Sequence, residues 1–395
     1  MVLGRLAAWG GGLALMAGRP AVGERSMGDL ELVVRHRLVH HVLTSLCWSR
    51  NSRWLVSVGG GGYGYVLWDT TSWTRVHELT GERPFYFAGG PVNFTADERH
   101  VVLSLQHMKS DKEFVGFGLW GVESGKIERL VPFPLAHFPY RQLGGGEVSF
   151  FPVAGTRLAV VLFEGRPDRP VLLYDTESWE VAKVLVQMPE GYSRCLDVSP
   201  DGRLLAIGGN RPVPFNGEPT GRISFFDIES GNLAGRIEGA HKDTVAHLKF
   251  SPDSRFIASG IAGGITRLLN VKTNQLEDMR DVEQVRVWDV ATGAKLGGIT
   301  GIPFGVEGLD FDSGGRRLAV ALSGMPPTKY SDPAKYSEFV LWDWRDDSAL
   351  ARHPVTDGTS YCRCVAFSPD GRWLAMGIGD RRGYSRIEIA EIVAG

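Results

Sequence analysis

Cysteine is scarce in this 395-residue sequence: Cys47, Cys195, Cys362 and Cys364 are the whole complement. Four scattered residues make no disulfide framework, and without a Cys-x-x-Cys pair neither a zinc ribbon nor a thioredoxin-type site is signalled. A surplus of either charge is missing as well. The 43 Lys and Arg against 45 Asp and Glu leave a formal net charge of −2, no electrostatic footprint for nucleic acid. Long apolar runs are lacking too. The longest stretch free of charged residues, Trp54 to Trp68, is full of glycine and shorter than the roughly 20 apolar residues of a membrane helix. Membrane spanning is therefore not expected.

The familiar motifs of catalysis and metal binding are also absent. There is no P-loop, no His-Glu-x-x-His, no Gly-x-Ser-x-Gly and no haem-attachment Cys-x-x-Cys-His. The spacing Gly59-x-Gly61-x-x-Gly64 would need a following helix to face a pyrophosphate, but the strand-like YVLWD comes next. It reads as a glycine-rich hairpin turn. His36, His40 and His41 cluster without further ligands at a metal-binding spacing, which leaves a loop and strand-edge reading. Asp310 and Asp312, in LDFDSGG, read as turn residues because the alternating oxygen ligands of a calcium loop are missing. No metal and no cofactor are expected, and the chain reads as a non-enzyme. A site assembled from dispersed residues would leave no such motif, so an enzyme stays as an alternative.

What the sequence does have is glycine, 51 residues or about 13% against a usual ~7%, so the chain turns often. It also repeats itself. The phrases VAFSPDGRWLAMG (365–377), LDVSPDGRLLAIGG (196–209) and LKFSPDSRFIASG (248–260) are the clearest copies of one unit. Weaker copies are CWSRNSRWLVSVG (47–59), NFTADERHVVLSL (93–105), SFFPVAGTRLAVV (149–161) and LDFDSGGRRLAVA (309–321). A third strand follows each, commonly ending in an aromatic–acidic pair, as in YVLWD, VLLYD, ISFFD, VRVWD and FVLWD. β-Branched and aromatic stretches cut at short intervals by Gly, Pro, Asp and Ser are short antiparallel strands. No window shows a convincing helical period. Cys195 and Cys364 occupy the same place in two copies and read as small buried residues of a repeated strand.

These residues resemble the WD-repeat (Trp-Asp repeat) β-propeller family, as a divergent, bacterial-type member. The resemblance covers roughly residues 30–395, with SPDSRFIASGIAGGITRLLNVKTNQL (251–276) following the blade register and VRVWDVATG its most specific phrase. It implies an all-β, seven-bladed propeller of four-stranded antiparallel blades, since a lone blade cannot bury both faces. The last unit stops after its third strand, while GDLELVVRHRLVHH (28–41) is a strand without a blade. The N-terminal strand is thus expected to complete the last blade and remove two exposed edges. Residues 28–395 form one domain on this reading. Within it, ITRLLNVKTNQ (265–275) and QVRVWDVATGA (284–294) both qualify as the third strand of blade five. A tandem duplication of strand and turn near 272–290 accounts for this, and either copy (265–271 or 284–290) could join the sheet.

Family structural residues carry over only in part. Gly239-Ala240-His241 precedes the first strand of blade five and Ser259 matches the second-strand hydroxyl. Gly263 stands where the turn aspartate is expected, and Leu269 where the Trp is expected. The ring is accordingly expected to rely on apolar packing, with Trp68, Trp120, Tyr174, Phe226, Trp288 and Trp342 as core wedges.

At the amino terminus, residues 1–26 are signal-like: Arg5, an apolar run from Leu6 to Gly18, then Ala21-Val22-Gly23 as a small-residue cleavage site. Arg19 fits that pattern poorly, and a start at Met27 is the competing account. The first reading places the protein in the periplasm or outside the cell, the second in the cytoplasm.

In the family's fold, the second-to-third-strand loops and the loops leading into each blade share one face. Several here are long or aromatic: QHMKSDKEF, GNRPVPFNGEPTG, GMPPTKYSDPAKYSEF, GERPFYFAGG and PFPLAHFPYRQLGGG. Aromatics with Arg suit a protein-binding surface. Phe85, Tyr86, Phe138, Tyr140, Arg141, Phe215, Tyr330 and Tyr336 are the candidates, unless they fold back to cap the ring. The expectation is a non-catalytic scaffold that binds a protein or peptide, as a monomer or as a subunit of a hetero-complex. An enzyme or small-ligand binder using the central funnel is the alternative, favoured if Asp, Glu, His or Arg side chains converge on the axis. A structural subunit docking through the blade-five insertion is the third.

Overall fold

The computed structural model describes residues 30–60, 63–80, 85–87, 92–107, 115–133, 148–152, 157–162, 170–187, 192–210, 221–261, 267–270, 275–278, 283–300, 305–323, 337–357, 359–380 and 382–394. The signal-like segment and Met27 lie outside them.

Every regular element among these residues is a strand. The chain opens with β1 (Leu30–Val39), then a meander of β2 (Leu43–Trp48), β3 (Trp54–Gly59), β4 (Gly64–Asp69) and β5 (Thr74–Leu79). Next come β6 (Phe85–Phe87), β7 (Asn93–Phe94), β8 (His100–His107), β9 (Val115–Gly121) and β10 (Ile127–Pro132). A third group is β11 (Val148–Pro152), β12 (Arg157–Leu162), β13 (Pro170–Asp175) and β14 (Val181–Gln187). A fourth is β15 (Tyr192–Val198), β16 (Leu204–Asn210), β17 (Gly221–Asp227) and β18 (Leu233–Glu238). Then follow β19 (Val245–Phe250), β20 (Phe256–Ile261), β21 (Arg267–Asn270), β22 (Gln275–Asp278), β23 (Val285–Asp289) and β24 (Lys295–Ile299). The chain ends with β25 (Gly305–Phe311), β26 (Arg317–Ser323), β27 (Ser337–Asp343) and β28 (Ser348–Pro354), then β29 (Ser360–Phe367), β30 (Trp373–Asp380) and β31 (Ser385–Ala394).

These strands form six four-stranded antiparallel blades and one five-stranded sheet in which β6 and β7 both pair with β8. The first strands of successive sheets lie side by side in a cycle: β2, β7, β11, β15, β19, β25, β29 and back to β2. The result is a β-propeller with these strands around its axis. β1 pairs antiparallel with β31, from Leu30 opposite Ala394 to Val39 opposite Arg386, so the first strand supplies the outer edge of the last blade. No helix among the described residues is long and apolar enough to cross a membrane.

The Ser-Pro-Asp turn explains why the unit repeats. Ser251 Oγ bonds Asp253 Oδ1 at 2.6 Å and accepts the Phe256 N–H, while Asp253 accepts the Arg255 N–H. Ser199 with Asp201 and Ser368 with Asp370 repeat the arrangement. The next position is left-handed, with φ of 73° at Gly202 and Gly371 but 61° at Ser254 and 58° at Ser52. A side chain there costs conformational energy, and the two serines offset it by contact between turns. Ser254 Oγ accepts the Asp201 N–H, and Ser52 Oγ accepts the Asp370 N–H.

Between blades the packing is apolar. Trp68, Trp120, Tyr174, Phe226, Trp288 and Trp342 are all buried, as core wedges should be. Closure uses the same packing: Leu38, Leu43, Trp48 and Trp68 meet Cys364, Ala375 and Ile387 in one cluster. Trp48 Nε1 also donates to the Ala366 carbonyl at 3.2 Å, joining the first meander to the last blade.

Of the two competing third strands, the second copy joins the sheet. β23 pairs with β20, Trp288 lying opposite Ile257, whereas β21 and β22 pair only with each other. This corrects the placing of Leu269 where the family's Trp belongs. Trp288 is that residue, and its Nε1 donates to Ser259 Oγ at 2.8 Å. His241 Nε2 meets the same hydroxyl at 2.8 Å and its Nδ1 faces the Glu283 carbonyl at 3.2 Å. A buried His–Ser–Trp network therefore survives in this blade. Trp68 Nε1 donating to Ser57 Oγ at 2.9 Å keeps half of it in the first meander.

Candidate functional site

The axial strands leave a central cavity of about 900 Å³ among the described residues. Its lining follows from the repeat. The aromatic or apolar residue closing each axial strand is buried between blades, as in Trp48, Phe94, Val198, Phe250, Phe311 and Phe367. Strand alternation then turns the preceding residue toward the axis. Those preceding residues are Cys47, Asn93, Asp197, Lys249, Asp310 and Ala366, and all six line the cavity.

This tier is internally paired. Lys249 Nζ lies 3.1 Å from Asp310 Oδ1. The Phe250 N–H donates to Asp197 Oδ2 at 2.7 Å, and the Phe367 N–H donates to Asp310 Oδ2 at 2.8 Å. Each of these bonds runs from one axial strand to the next, where no backbone ladder exists. Burial pushes Asp197 up to about 6, against the opposing pull of Lys249 and the Phe250 N–H. Lys249 is held well above the usual ammonium range, chiefly by Asp310.

A second tier lies nearer the start of the same strands. Each of β2, β15, β19, β25 and β29 slips register by one residue, leaving Thr44, Arg194, Ala246, Glu307 and Arg363 unpaired in the ladder. A bulge re-aims the extra side chain, and all five residues line the cavity. Burial pushes Glu307 up to about 7 and His247 down to about 4, so the latter is neutral at pH 7. The thiols are inert for the same reason: burial lifts Cys47 to about 11 and Cys364 to about 12.

The two ends of the ring differ. Ser-Pro-Asp turns and the short turns after each third strand occupy one end. The long connections 108–114, 134–147, 163–169, 211–220 and 324–336 all leave from the other, as does the β21–β22 hairpin. Meander topology requires this split. Phe138, Tyr140, Arg141, Phe215, Tyr330 and Tyr336 belong to those connections and lie outside the described residues. Phe85 and Tyr86 are not in a loop. Their backbone forms β6, opposite His107 and Gln106, because YF-rich sequence pairs readily with a neighbouring edge.

The other residues singled out in the sequence have structural surroundings. His36 stacks on Trp73 with ring centroids 4.7 Å apart, and His40 is buried and pushed down to about 4. Asp312 holds its turn by accepting the Arg316 and Arg317 N–H groups. Asp310 is not a turn residue: it lies within β25, one position before the closing Phe311, and lines the cavity. Among the described residues no group of three His, Cys, Asp or Glu side chains is placed to hold a metal ion.

Asp197, Lys249, Glu307, Arg194 and Arg363 were not singled out in the sequence. Their signal is the one variable place inside each otherwise constant V-x-F-S-P-D-G phrase, together with the residue three positions before it.

Comparison with known proteins agrees with the fold. The family model described as "WD domain, G-beta repeat" matches residues 234–268 and 350–382. Each match begins in the outer strand of one blade and covers the first two strands of the next. The chain is also similar to the WD repeat-containing protein SL1-17 of Schistosoma mansoni, 30% identical over 166 residues, 41% of this chain. The alignment spans only 42% of that relative's length, and its source gives no support to a bacterial-type placement.

Proposed function

For a chain that carries WD repeats in a β-propeller, we propose a non-catalytic scaffold role, in which the end bearing the long connections binds a protein or peptide. The observation that carries this reading is the unequal division of connections between the two ends of the ring. Loop length is tolerated where it serves binding, and a rigid ring holds such loops in place. Propellers of this class generally bind protein partners, and the aromatic residues Phe138, Tyr140, Phe215, Tyr330 and Tyr336 with Arg141 supply the side-chain types that dominate such interfaces. Phe85 and Tyr86, in β6, complete the candidate surface. We count the five-stranded sheet as a blade whose inner strand is split between β6 and β7, which makes the ring seven-bladed, and we take residues 28–395 as one domain.

The test is affinity capture from native extract, comparing wild-type protein with a Phe138, Tyr140, Arg141→Ala variant whose unfolding midpoint is unchanged. The reading expects a stoichiometric partner lost from the variant. Equal recovery on both forms would remove these residues from the surface, and no partner on either would remove the scaffold role.

A further inference from the structure

We propose that the half of the axial cavity nearer the long connections is a binding site for an oxyanion, a carboxylate or phosphate of a small molecule, held between Arg194 and Arg363 beside Glu307. This goes beyond the scaffold reading and requires no partner protein.

The geometry begins with the bulges. A bulge at one place in one strand is a local accident, but the same slip recurs in five of the seven axial strands, β2, β15, β19, β25 and β29. The residues so re-aimed differ from the paired tier below them. There, Lys249 and Asp310 neutralise one another and backbone N–H groups occupy the carboxylates. In the bulge tier no hydrogen bond or ion pair joins Glu307 to either arginine among the described residues. Arg363 Nε is a buried donor without a partner. Its guanidinium is held in place rather than neutralised, lying over the Tyr361 ring at 4.3 Å and donating to the Tyr361 hydroxyl. Nε itself packs against Gly379 of β30, so the end of the guanidinium that can take an oxyanion as a fork is the one formed by Nη1 and the remaining Nη2 hydrogen.

The charge balance points the same way. Glu307 is pushed up to about 7 by burial, despite the opposing influence of Arg363 and Arg194. Half of it is protonated near neutrality, when it can donate to the same anion instead of repelling it. The groups that face this tier from neighbouring strands are Arg194, Cys195 and Asp197 on β15, His247 and Lys249 on β19, Asp310 on β25, Glu338 on β27, and Cys362, Arg363 and Cys364 on β29. Of these His247 and the thiols are neutral, Lys249 is engaged by Asp310 and also faces Asp197, which accepts the Phe250 N–H, and Glu338 is paired with Arg352. Two arginines thus dominate. The cavity volume of about 900 Å³ falls within the range of roughly 300–1,000 Å³ that small-molecule sites occupy.

The test is calorimetric titration of the full chain with sodium sulfate and with sodium succinate, chloride balancing the ionic strength. Sulfate stands in for phosphate because it does not titrate over the range used. The expected result is saturable one-site binding of at least one probe at about pH 6.5, about tenfold weaker in Arg363→Gln and in Arg194→Gln. Arg363→Lys keeps the charge but not the fork, and should be weakened nearly as much. Wild-type affinity should fall as pH rises through about 7, while Glu307→Gln holds its affinity to about pH 8.5. Sulfate binding alone identifies a phosphate site and succinate binding alone a carboxylate site. No saturable binding of either, binding unchanged in the Arg194→Gln, Arg363→Gln double variant, or an unaltered pH dependence in Glu307→Gln would overturn the proposal.

Discussion

Arg37 and Glu388, near opposite ends of the chain, sit directly across from each other in the β1–β31 ladder, with Arg37 Nε 3.1 Å from Glu388 Oε1. Glu388 is buried and takes two further donors, Arg386 Nε at 3.0 Å and His353 Nε2 at 2.8 Å. His353 belongs to β28, in the preceding blade. One carboxylate therefore ties the closing strand to its own blade and to its neighbour.

Glu388→Gln should destabilise the protein by about 2–3 kcal/mol, since charge-assisted bonds are lost and cations are left facing an amide. Burial alone would raise this carboxyl, but His353, Arg386 and Arg37 together bring it down to about 2. A depressed acid contributes stability above its unfolded value, near 4.3, and loses it as pH falls toward the folded one. Urea unfolding between about pH 5 and 2 should therefore show a shallower acid loss in the variant than in wild type. Parallel curves would contradict this.

The blade-five assignment separates two otherwise similar strands. Trp288→Ala should cost about 3–5 kcal/mol, as expected for a buried tryptophan packed between blades. Removing residues 265–282, the hairpin copy, should shift the unfolding midpoint by only a few degrees, because β21 and β22 pair only with each other. Reversed effects in thermal melts would assign the blade to the wrong copy.

The His241–Ser259–Trp288 network has its own signature. Ser259→Ala should cost about 1–3 kcal/mol by leaving the buried indole N–H and imidazole without their shared partner. Burial pushes His241 down to about 3. The unfolded chain binds a proton that the folded one refuses, so stability should fall as pH drops from about 6.5 toward 3. Replacing His241 by Gln should remove that part of the slope in denaturant titrations. An unchanged slope would mean that the imidazole is not the group responsible.

The cysteines make a chemical prediction. With every thiol raised by burial, native protein at about pH 8 should react with a thiol reagent far more slowly than unfolded protein, and the fully buried Cys362 only as fast as the protein opens. Rapid labelling of Cys47, which lines the axial cavity, would contradict its placement.

Much of this architecture was legible in the sequence, because a repeat reports its strands several times over. The Ser-Pro-Asp phrase marks the first turn, the aromatic–acidic pair marks the third strand, and the unmatched ends announce that β1 completes the last blade. What escaped was information of another kind. Leu269 and Trp288 are both plausible third-strand residues by pattern, and only pairing with Ile257 decides between them. Phe85 and Tyr86 looked like loop because nothing local reveals that β8 has an unfilled edge. The axial site escaped because its residues, Arg194, Asp197, Lys249, Glu307 and Arg363, come from different repeats and converge only when the ring closes. Asp310 resembles a turn residue because Asp312 and the glycines follow it so closely, and only the pairing opposite Ala319 puts it in the strand.

The scaffold role is tested most directly by hydrogen–deuterium exchange on the complex with a captured partner. Protection should appear in segments 132–146, 209–221 and 324–339, while the Ser-Pro-Asp turns at 199–202, 251–254 and 368–371 exchange as in the free protein. Protection confined to those turns, or none at either end, would contradict the account.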